Sequence, residues 1–131
     1  MVLCSGVFDG LHAGHVAYLQ AAARLCQDGE RLMVAVAPDA YVVQHKHRQP
    51  RWSAADRVMT VRALKIVDAV RLHGDAGVED VILASTPRLF VKAEDWKDRL
   101  TVEVLAACSA RGTSILFIPE RATPHTSEAI H

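Results

Sequence analysis

The sequence predicts a three-layer α/β fold of the doubly wound, Rossmann-like type, in which helices cover both faces of a five-stranded parallel sheet. Two observations lead to this prediction. Strand-sized apolar runs alternate with segments of helical periodicity along the 131 residues. The runs are continuously apolar, as parallel strands buried on both faces require. Hydrophobic residues make up 50% of the chain, which suffices for one core, so we expect a single domain over residues 1–131.

The first two strands and the helix between them follow from the apolar pattern. Residues 2–8 contain short apolar stretches that predict the first strand. Apolar residues at three- and four-residue spacing predict a helix over residues 15–26, which Gly29 ends. The run 31–37 predicts the second strand. Three glycines indicate a turn between the first strand and the helix: Gly6, Gly10 and Gly14.

The remaining elements are predicted in the same way. Residues 41–52 are polar and basic without a period, which predicts a loop, and Ser53 with Asp56 has the pattern of a helix N-cap. Residues 123–131 predict a loop entering a final helix. The other predicted elements are strands at 68–72, 88–92 and 114–118 and helices at 78–84 and 101–110, the second helix capped by Gly112.

Composition excludes several classes of protein. The 15 basic and 15 acidic residues give a net charge of +0, which argues against a broad nucleic-acid surface. No apolar run approaches the roughly 18 residues that a membrane span needs, and residues 1–6 do not have the pattern of a secretory signal. Three separated cysteines indicate free thiols. We therefore expect a cytoplasmic protein without a nucleic-acid or membrane partner.

The turn at residues 6–15 is the first place to look for chemistry, because ligands bind at the carboxyl ends of strands in doubly wound sheets. Its glycine spacing matches neither the phosphate loop of kinases nor the dinucleotide fingerprint. His12 and His15 lie about one helical turn apart, with Gly14 between them, at the start of the predicted helix. Two imidazoles beside a helix N-terminus favour a polyphosphate ligand.

Residue types alone leave two other interpretations of this turn open. Two histidines and a carboxylate can bind zinc or iron, so Asp9, His12 and His15 could form a metal site. The two histidines could also be purely structural residues of a turn.

Residues 6–15 resemble the G-x-F-D-x-x-H-x-G-H signature of the cytidylyltransferase-like nucleotidyltransferases. Further resemblances follow in the family's order at residues 53–57 with 67–70, at 90–96, and at Arg121 with Thr126-Ser127. The resemblance implies one nucleotidyltransferase domain. In such enzymes an acceptor phosphate attacks the α-phosphorus of a nucleoside triphosphate and pyrophosphate leaves, with no covalent enzyme intermediate.

The resemblance also implies roles for individual residues. The catalytic residues would be His12, His15 and Lys46. The nucleotide would contact Gly6, Val7, Phe8, Asp9, Gly14, Asp95, Arg121, Thr126 and Ser127. The acceptor phosphate would contact Arg48, Arg51 and Arg57, unless the basic run is a solvated loop and Arg57 a surface residue. Mg²⁺ would accompany the triphosphate, and the protein would be a homodimer.

The acceptor implied by the resemblance is a small phosphorylated sugar or polyol. Adenylyl transfer to a sugar 1-phosphate is preferred, and cytidylyl transfer to glycerol 3-phosphate is the alternative. The chain departs from the family pattern at Ala93-Glu94 and at Glu128. These departures keep open a degenerate domain that binds nucleotide without turnover. A non-catalytic domain that binds a metal through Asp9, His12 and His15 is a further alternative.

Overall fold

A computed structural model describes residues 1–119 of the protein. The sheet strands are β1 (Val2–Gly6), β2 (Leu32–Val36), β3 (Ala69–Leu72), β4 (Leu89–Ala93) and β5 (Ser114–Ile118). The α-helices of this range are α1 (Ala13–Arg24), α2 (Asp39–Lys46), α3 (Ala54–Arg62), α4 (Glu79–Ser85) and α5 (Val102–Arg111). A short 3-10 helix, Glu94–Trp96, follows β4. None of the helices within residues 1–119 has the length and apolar character to cross a membrane.

The five strands form one parallel sheet in the order β3-β2-β1-β4-β5, which confirms the predicted fold class. Val2 of β1 pairs with Leu32 of β2 on one side and with Leu89 of β4 on the other. The direction of winding therefore reverses between β1 and β4. In doubly wound sheets a crevice opens at this switch point, beyond the carboxyl ends of the two strands.

Two hydrophobic clusters lie on opposite faces of the sheet and give the three layers. Successive side chains of a strand point to opposite faces, so Cys4 and Leu3 of β1 belong to different clusters. Helices α1 and α3 cover the face of Cys4, and helices α4 and α5 cover the face of Leu3. The central strands β2, β1 and β4 are the most buried, and their carboxyl ends lie between these two layers.

Most predicted element bounds agree with the structure to within two residues, and the bounds of β5 agree fully. The hydroxyl of Ser53 accepts a hydrogen bond from the N–H of Asp56 at 3.2 Å, which confirms the predicted N-cap of α3. Gly112 adopts a positive φ of 67° and ends α5 as predicted. The three cysteines are free. The predicted final loop and helix, residues 123–131, lie outside the described residues.

The prediction of a loop throughout residues 41–52 is wrong, because α2 occupies Asp39–Lys46. Only Val42 of this helix is buried, so two short turns produce no visible hydrophobic period. The helix is favoured at its ends instead. Asp39 lies in the first turn and Lys46 in the last, where each charge complements the helix dipole.

Candidate functional site

A cavity of about 850 Å³ opens at the carboxyl ends of the central strands. Its wall includes the turn after β1, helix α2, the segment after β3 and the 3-10 helix after β4. The cavity thus lies at the switch point of the sheet. It gathers these predicted site residues: Gly6, Val7, Phe8, Asp9, His12, Gly14, His15, Lys46, Arg48 and Asp95.

The imidazole rings of His12 and His15 form a close pair at the start of α1, with their centroids 3.9 Å apart. His12 is the N-cap residue, and its Nδ1 accepts a hydrogen bond from the N–H of Gly14 at 3.0 Å. The N–H of His12 donates in turn to Nδ1 of His15 at 3.3 Å. The two rings therefore cap the helix through Nδ1, and only Nε2 of each ring is left for a ligand.

These hydrogen bonds fix where each ring carries its proton. A backbone N–H can only donate, so Nδ1 of each imidazole must offer a lone pair and the proton must lie on Nε2. Burial, followed by the neighbouring His12, lowers the pKa of His15 to about 4. At neutral pH His15 is therefore uncharged and presents an Nε2–H donor, which suits the oxygens of a phosphate.

Gly6 and Phe8 support the histidine pair from behind. Phe8 is buried and adopts a positive φ of 53°, which is strained for a residue with a side chain. Its ring folds back over Gly6, where an added Cβ would lie 2.9 Å from the ring. The Phe8 ring also lies 5.4 Å from the ring of His15. The conformation of this turn thus depends on glycine at position 6.

Asp9 holds the segment after α2 against the turn. Its carboxylate accepts hydrogen bonds from the N–H groups of Arg51 at 2.7 Å and Trp52 at 2.8 Å, and from Arg48 at 3.2 Å. Burial alone would raise the pKa of Asp9, but these donors outweigh it and lower the pKa. With its oxygens bonded in this way, Asp9 is poorly suited to join His12 in binding a metal.

The three predicted arginines have different environments. Arg48 is exposed, lines the cavity and pairs with Asp9. Arg51 is exposed and does not line the cavity. Lys46, the last residue of α2, lies on the cavity wall beside Arg48. Of the predicted residues, one lysine and one of the three arginines thus line the cavity as exposed cations, and Arg99, which the prediction missed, is a further exposed cation on its wall.

Arg57 differs from its predicted place beside the acceptor, because its side chain is buried, with 1% of the residue exposed. Its Nη1 donates to the carbonyls of Val7 at 2.8 Å and Ala37 at 2.6 Å. Its Nε donates to the carbonyl of Trp52, and its Nη2 donates to Asp39. Four of the five guanidinium N–H groups are thus used to tie the loops after β1 and β2 together.

Lys92 is a cavity residue that the sequence prediction missed. It lies near the carboxyl end of β4, 6% exposed, and its Nζ donates to the carbonyl of Ser5 at 3.1 Å and to the hydroxyl at 3.3 Å. The ammonium also lies 4.2 Å from the ring centre of Trp96. Burial lowers its pKa to about 8. Within residues 1–119 it forms no salt bridge, so a buried cation faces the switch point unpaired.

A polar group in an otherwise apolar strand was the available signal for Lys92. A second missed group is formed by Tyr41, His45 and His73, on the wall nearest β3. Of the predicted nucleotide contacts, Arg121, Thr126 and Ser127 lie outside the described residues, as does Glu128. Among residues 1–119, no cluster of three or more histidine, cysteine or acidic side chains could hold a metal ion.

Comparison with known proteins agrees with this geometry. The family model described as cytidylyltransferase-like matches residues 3–127. The bifunctional protein HldE of Streptomyces coelicolor is 42% identical over 97 residues, which make up 73% of this chain and 20% of HldE. An FAD synthase of Thermococcus kodakarensis is 37% identical over 108 residues, covering 76% of this chain and 70% of that protein.

A solved structure shares the fold. The lipopolysaccharide core biosynthesis protein of Thermoplasma volcanium superposes with a TM-score of 0.72 at 24% identity, covering 90% of this chain and 93% of that one. The chain spans about a fifth of the length of HldE, so it matches one portion of that larger protein. The family model, by contrast, extends over nearly the whole chain. The chain therefore belongs to the cytidylyltransferase-like family of nucleotidyltransferase enzymes.

Proposed function

We propose that the protein transfers a nucleoside monophosphate from a nucleoside triphosphate to a small phosphorylated sugar or polyol, releasing pyrophosphate. The observation that carries this proposal is the pair of Nε2–H donors on His12 and His15 at the N-terminus of α1. Both donors are held by backbone hydrogen bonds before any ligand arrives. Preorganised donors of this kind stabilise charge that develops on phosphoryl oxygens.

In the proposed reaction an oxygen of the acceptor phosphate attacks the α-phosphorus. The bond from the α-phosphorus to the bridging oxygen breaks, and the electron pair leaves with pyrophosphate. His12 and His15 donate hydrogen bonds to the triphosphate, while Lys46 and Arg48 balance the charge of the reacting phosphates. Lys92 and Arg99 add two further cations on the β4 side of the cavity. No side chain forms a covalent bond to the substrate.

We further propose adenylyl transfer to a sugar 1-phosphate. The similarity to HldE supports this choice. Residues 88–96 support it too, because they resemble the family members that act on heptose 1-phosphate. The FAD synthase match supports adenylyl over cytidylyl transfer, because FAD is an adenylyl ester of flavin mononucleotide. Cytidylyl transfer to glycerol 3-phosphate is the alternative, and flavin mononucleotide is included among the acceptors to be tested.

Mg²⁺ and a homodimer belong to the proposal as well. The described residues offer no cluster of three ligands for a cation, so phosphate oxygens would provide most of its coordination. Mg²⁺ bound in this way neutralises part of the triphosphate charge. Light scattering coupled to gel filtration measures the mass in solution, and a monomer of 14.3 kDa would contradict the proposed dimer.

Two measurements test the function. Thermal unfolding with ATP or CTP, each with Mg²⁺, should show a higher melting temperature with ATP, because a ligand of the folded state stabilises it. Pyrophosphate release should then follow when heptose 1-phosphate, glucose 1-phosphate, glycerol 3-phosphate or flavin mononucleotide is added. Stabilisation without turnover of any acceptor would favour a degenerate nucleotide-binding domain. Stoichiometric zinc or iron in the purified protein would favour a metal-binding domain.

A further inference from the structure

The wall of the cavity nearest β3 is formed by one tyrosine and two histidines. His73 follows β3 directly, and Tyr41 lies on α2 opposite it. The rings of Tyr41 and His73 make a T-shaped contact with centroids 4.9 Å apart and planes at 85°. His45 stacks on Tyr41 with ring centroids 4.0 Å apart. The tyrosine ring thus contacts two imidazoles.

His73 carries its proton on the opposite nitrogen from His12 and His15. Its Nδ1 lies 2.7 Å from the carbonyl oxygen of Gly74, and a carbonyl can only accept, so Nδ1 carries the hydrogen. The residue is 7% exposed and lines the cavity. Its Nε2 has no hydrogen-bond partner within residues 1–119, where every fully buried side-chain nitrogen or oxygen has one. Nε2 therefore reaches the solvent of the cavity.

The charge state of His73 follows from its surroundings. Burial lowers its pKa, while the hydrogen bond to Gly74 and the carboxylates of Asp80 and Glu79 raise it and Lys92 lowers it further. The lowered pKa makes the ring neutral at pH 7. With Nδ1 protonated, Nε2 then presents a lone pair to the cavity, whereas His12 and His15 present N–H donors.

We propose that Nε2 of His73 and the hydroxyl of Tyr41 form a subsite that binds a hydroxyl group of the acceptor. The inference rests on the proposed function and names the part of the acceptor that this wall recognises. The Tyr41 hydroxyl has no hydrogen-bond partner among residues 1–119, and Tyr41 lines the same cavity, so its hydroxyl is free to donate to the acceptor.

The chemistry of this wall selects a hydroxyl over the other groups of the substrates. A lone pair on Nε2 repels phosphate oxygens, and two neutral rings do not compensate a carboxylate. A hydroxyl can donate to His73 and accept from Tyr41 at once. Tyr41 and Lys46 lie on the same short helix and both line the cavity, so this wall adjoins the proposed site of the acceptor phosphate. The acceptor therefore carries at least one hydroxyl group in addition to its phosphate.

Nitrogen NMR tests the proton position on His73 without any turnover. At pH 7, two-bond ¹H–¹⁵N spectra of the labelled protein should show His73 protonated at Nδ1 and bare at Nε2, with the opposite pattern for His12 and His15. Addition of glucose 1-phosphate should shift the Nε2 resonance of His73, and ethyl phosphate, which has no hydroxyl, should not. An Nε2–H form of His73, or equal shifts with both phosphates, would overturn the proposal.

Kinetics with two variants test the subsite in the enzyme. In His73→Phe the KM for heptose 1-phosphate or glycerol 3-phosphate, whichever releases pyrophosphate, should rise about tenfold, as expected for one lost hydrogen bond. The KM for ATP should stay within about twofold. His73→Gln can place an oxygen near the position of Nε2 and should recover part of the loss. Arg71→Gln is the matched control, since Arg71 is exposed on β3 and does not line the cavity.

The outcomes separate this subsite from the proposed function. An unchanged acceptor KM in a folded His73→Phe protein that still binds ATP would overturn the subsite alone. Absence of nucleotide stabilisation and of pyrophosphate release in the wild-type protein would overturn the proposed function. The NMR pattern of His73 and its response to glucose 1-phosphate would then decide the subsite by itself.

Discussion

The backbone N–H of His12 donates a hydrogen bond to Nδ1 of His15, and the two imidazole rings lie 3.9 Å apart. One bond thus links the helix cap to the orientation of the second ring. Because Nδ1 is used by the backbone, any ligand contact must come through Nε2. Backbone hydrogen bonds therefore set the positions of the Nε2–H donors of His12 and His15.

Replacement of His15 should therefore affect the rate more than the fold. We expect His15→Ala to lower kcat on the order of 10²-fold or more, because one transition-state donor is lost. His15→Gln, whose amide can place a donor near the position of Nε2, should retain more activity than His15→Asn. Steady-state rates of pyrophosphate release give the kcat values of the wild type and of these variants. Equal kcat for the Ala variant and the wild type would remove His15 from the mechanism.

Acid should destabilise the protein through the same residue. The pKa of His15 in the folded protein is about 4, below its ordinary value of 6.5, so the unfolded chain binds the proton more tightly. The contribution of neutral His15 to the free energy of unfolding is fully present above pH 6.5 and is lost as the pH falls towards 4. Urea unfolding at pH 7, 6, 5 and 4 should show this decline, and His15→Gln should flatten it. An equally steep decline in the His15→Gln variant would show that His15 is not the cause of the acid destabilisation.

The lowered pKa of Glu30 affects stability at a lower pH than that of His15, so the two contributions to acid unfolding can be compared in the same protein. The Arg88 side chain, with the N–H of Gln27, lowers its pKa to about 2. Its contribution is therefore lost only below its ordinary value of 4.5, outside most of the His15 range.

Arg57 should behave as a positioning residue. Lysine at this position cannot reproduce four directed hydrogen bonds, so Arg57→Lys should lower the melting temperature by roughly 5–10 °C. Differential scanning calorimetry measures the shift. If Arg57 instead bound the acceptor phosphate, the variant would keep its melting temperature and show a raised acceptor KM. Arg51→Lys is the exposed control, and its melting temperature should not change.

Lys92 should bind the triphosphate in its charged form. Burial holds its pKa at about 8, so the affinity for ATP should fall as the pH rises from 7 to 9 and the ammonium loses its proton. Lys92→Met should bind ATP about tenfold more weakly at pH 7 and lose this part of the pH dependence. Isothermal titration calorimetry measures both.

The melting temperature of Lys92→Met separates a role of Lys92 in ATP binding from a role in stabilising the fold. Lys92→Met loses the hydrogen bonds to Ser5 but also removes the cost of burying an ammonium group without a carboxylate partner, so its melting temperature should stay close to that of the wild type. A large fall in melting temperature with unchanged ATP affinity would show that the lysine serves the fold instead.

Elements with a regular pattern of hydrophobic residues could be predicted from the sequence. Features that depend on individual contacts in the folded protein could not. Strand β5 is a continuous apolar run and its bounds were predicted fully. Helix α2 buries only Val42, so nothing periodic marks it. The pairing of His12 with His15 followed from their spacing. The burial of Arg57 depends on carbonyls far away in the chain, which no local pattern reveals.

The contact between Gly6 and Phe8 limits the order in which this turn can evolve. Alanine at position 6 would collide with the Phe8 ring and push it out of the strained conformation that lies behind His15. A smaller residue at position 8 would make room for that alanine but would leave the imidazole without its neighbour. The two positions are therefore epistatic: alanine at position 6 is tolerated only after the residue at position 8 has become smaller.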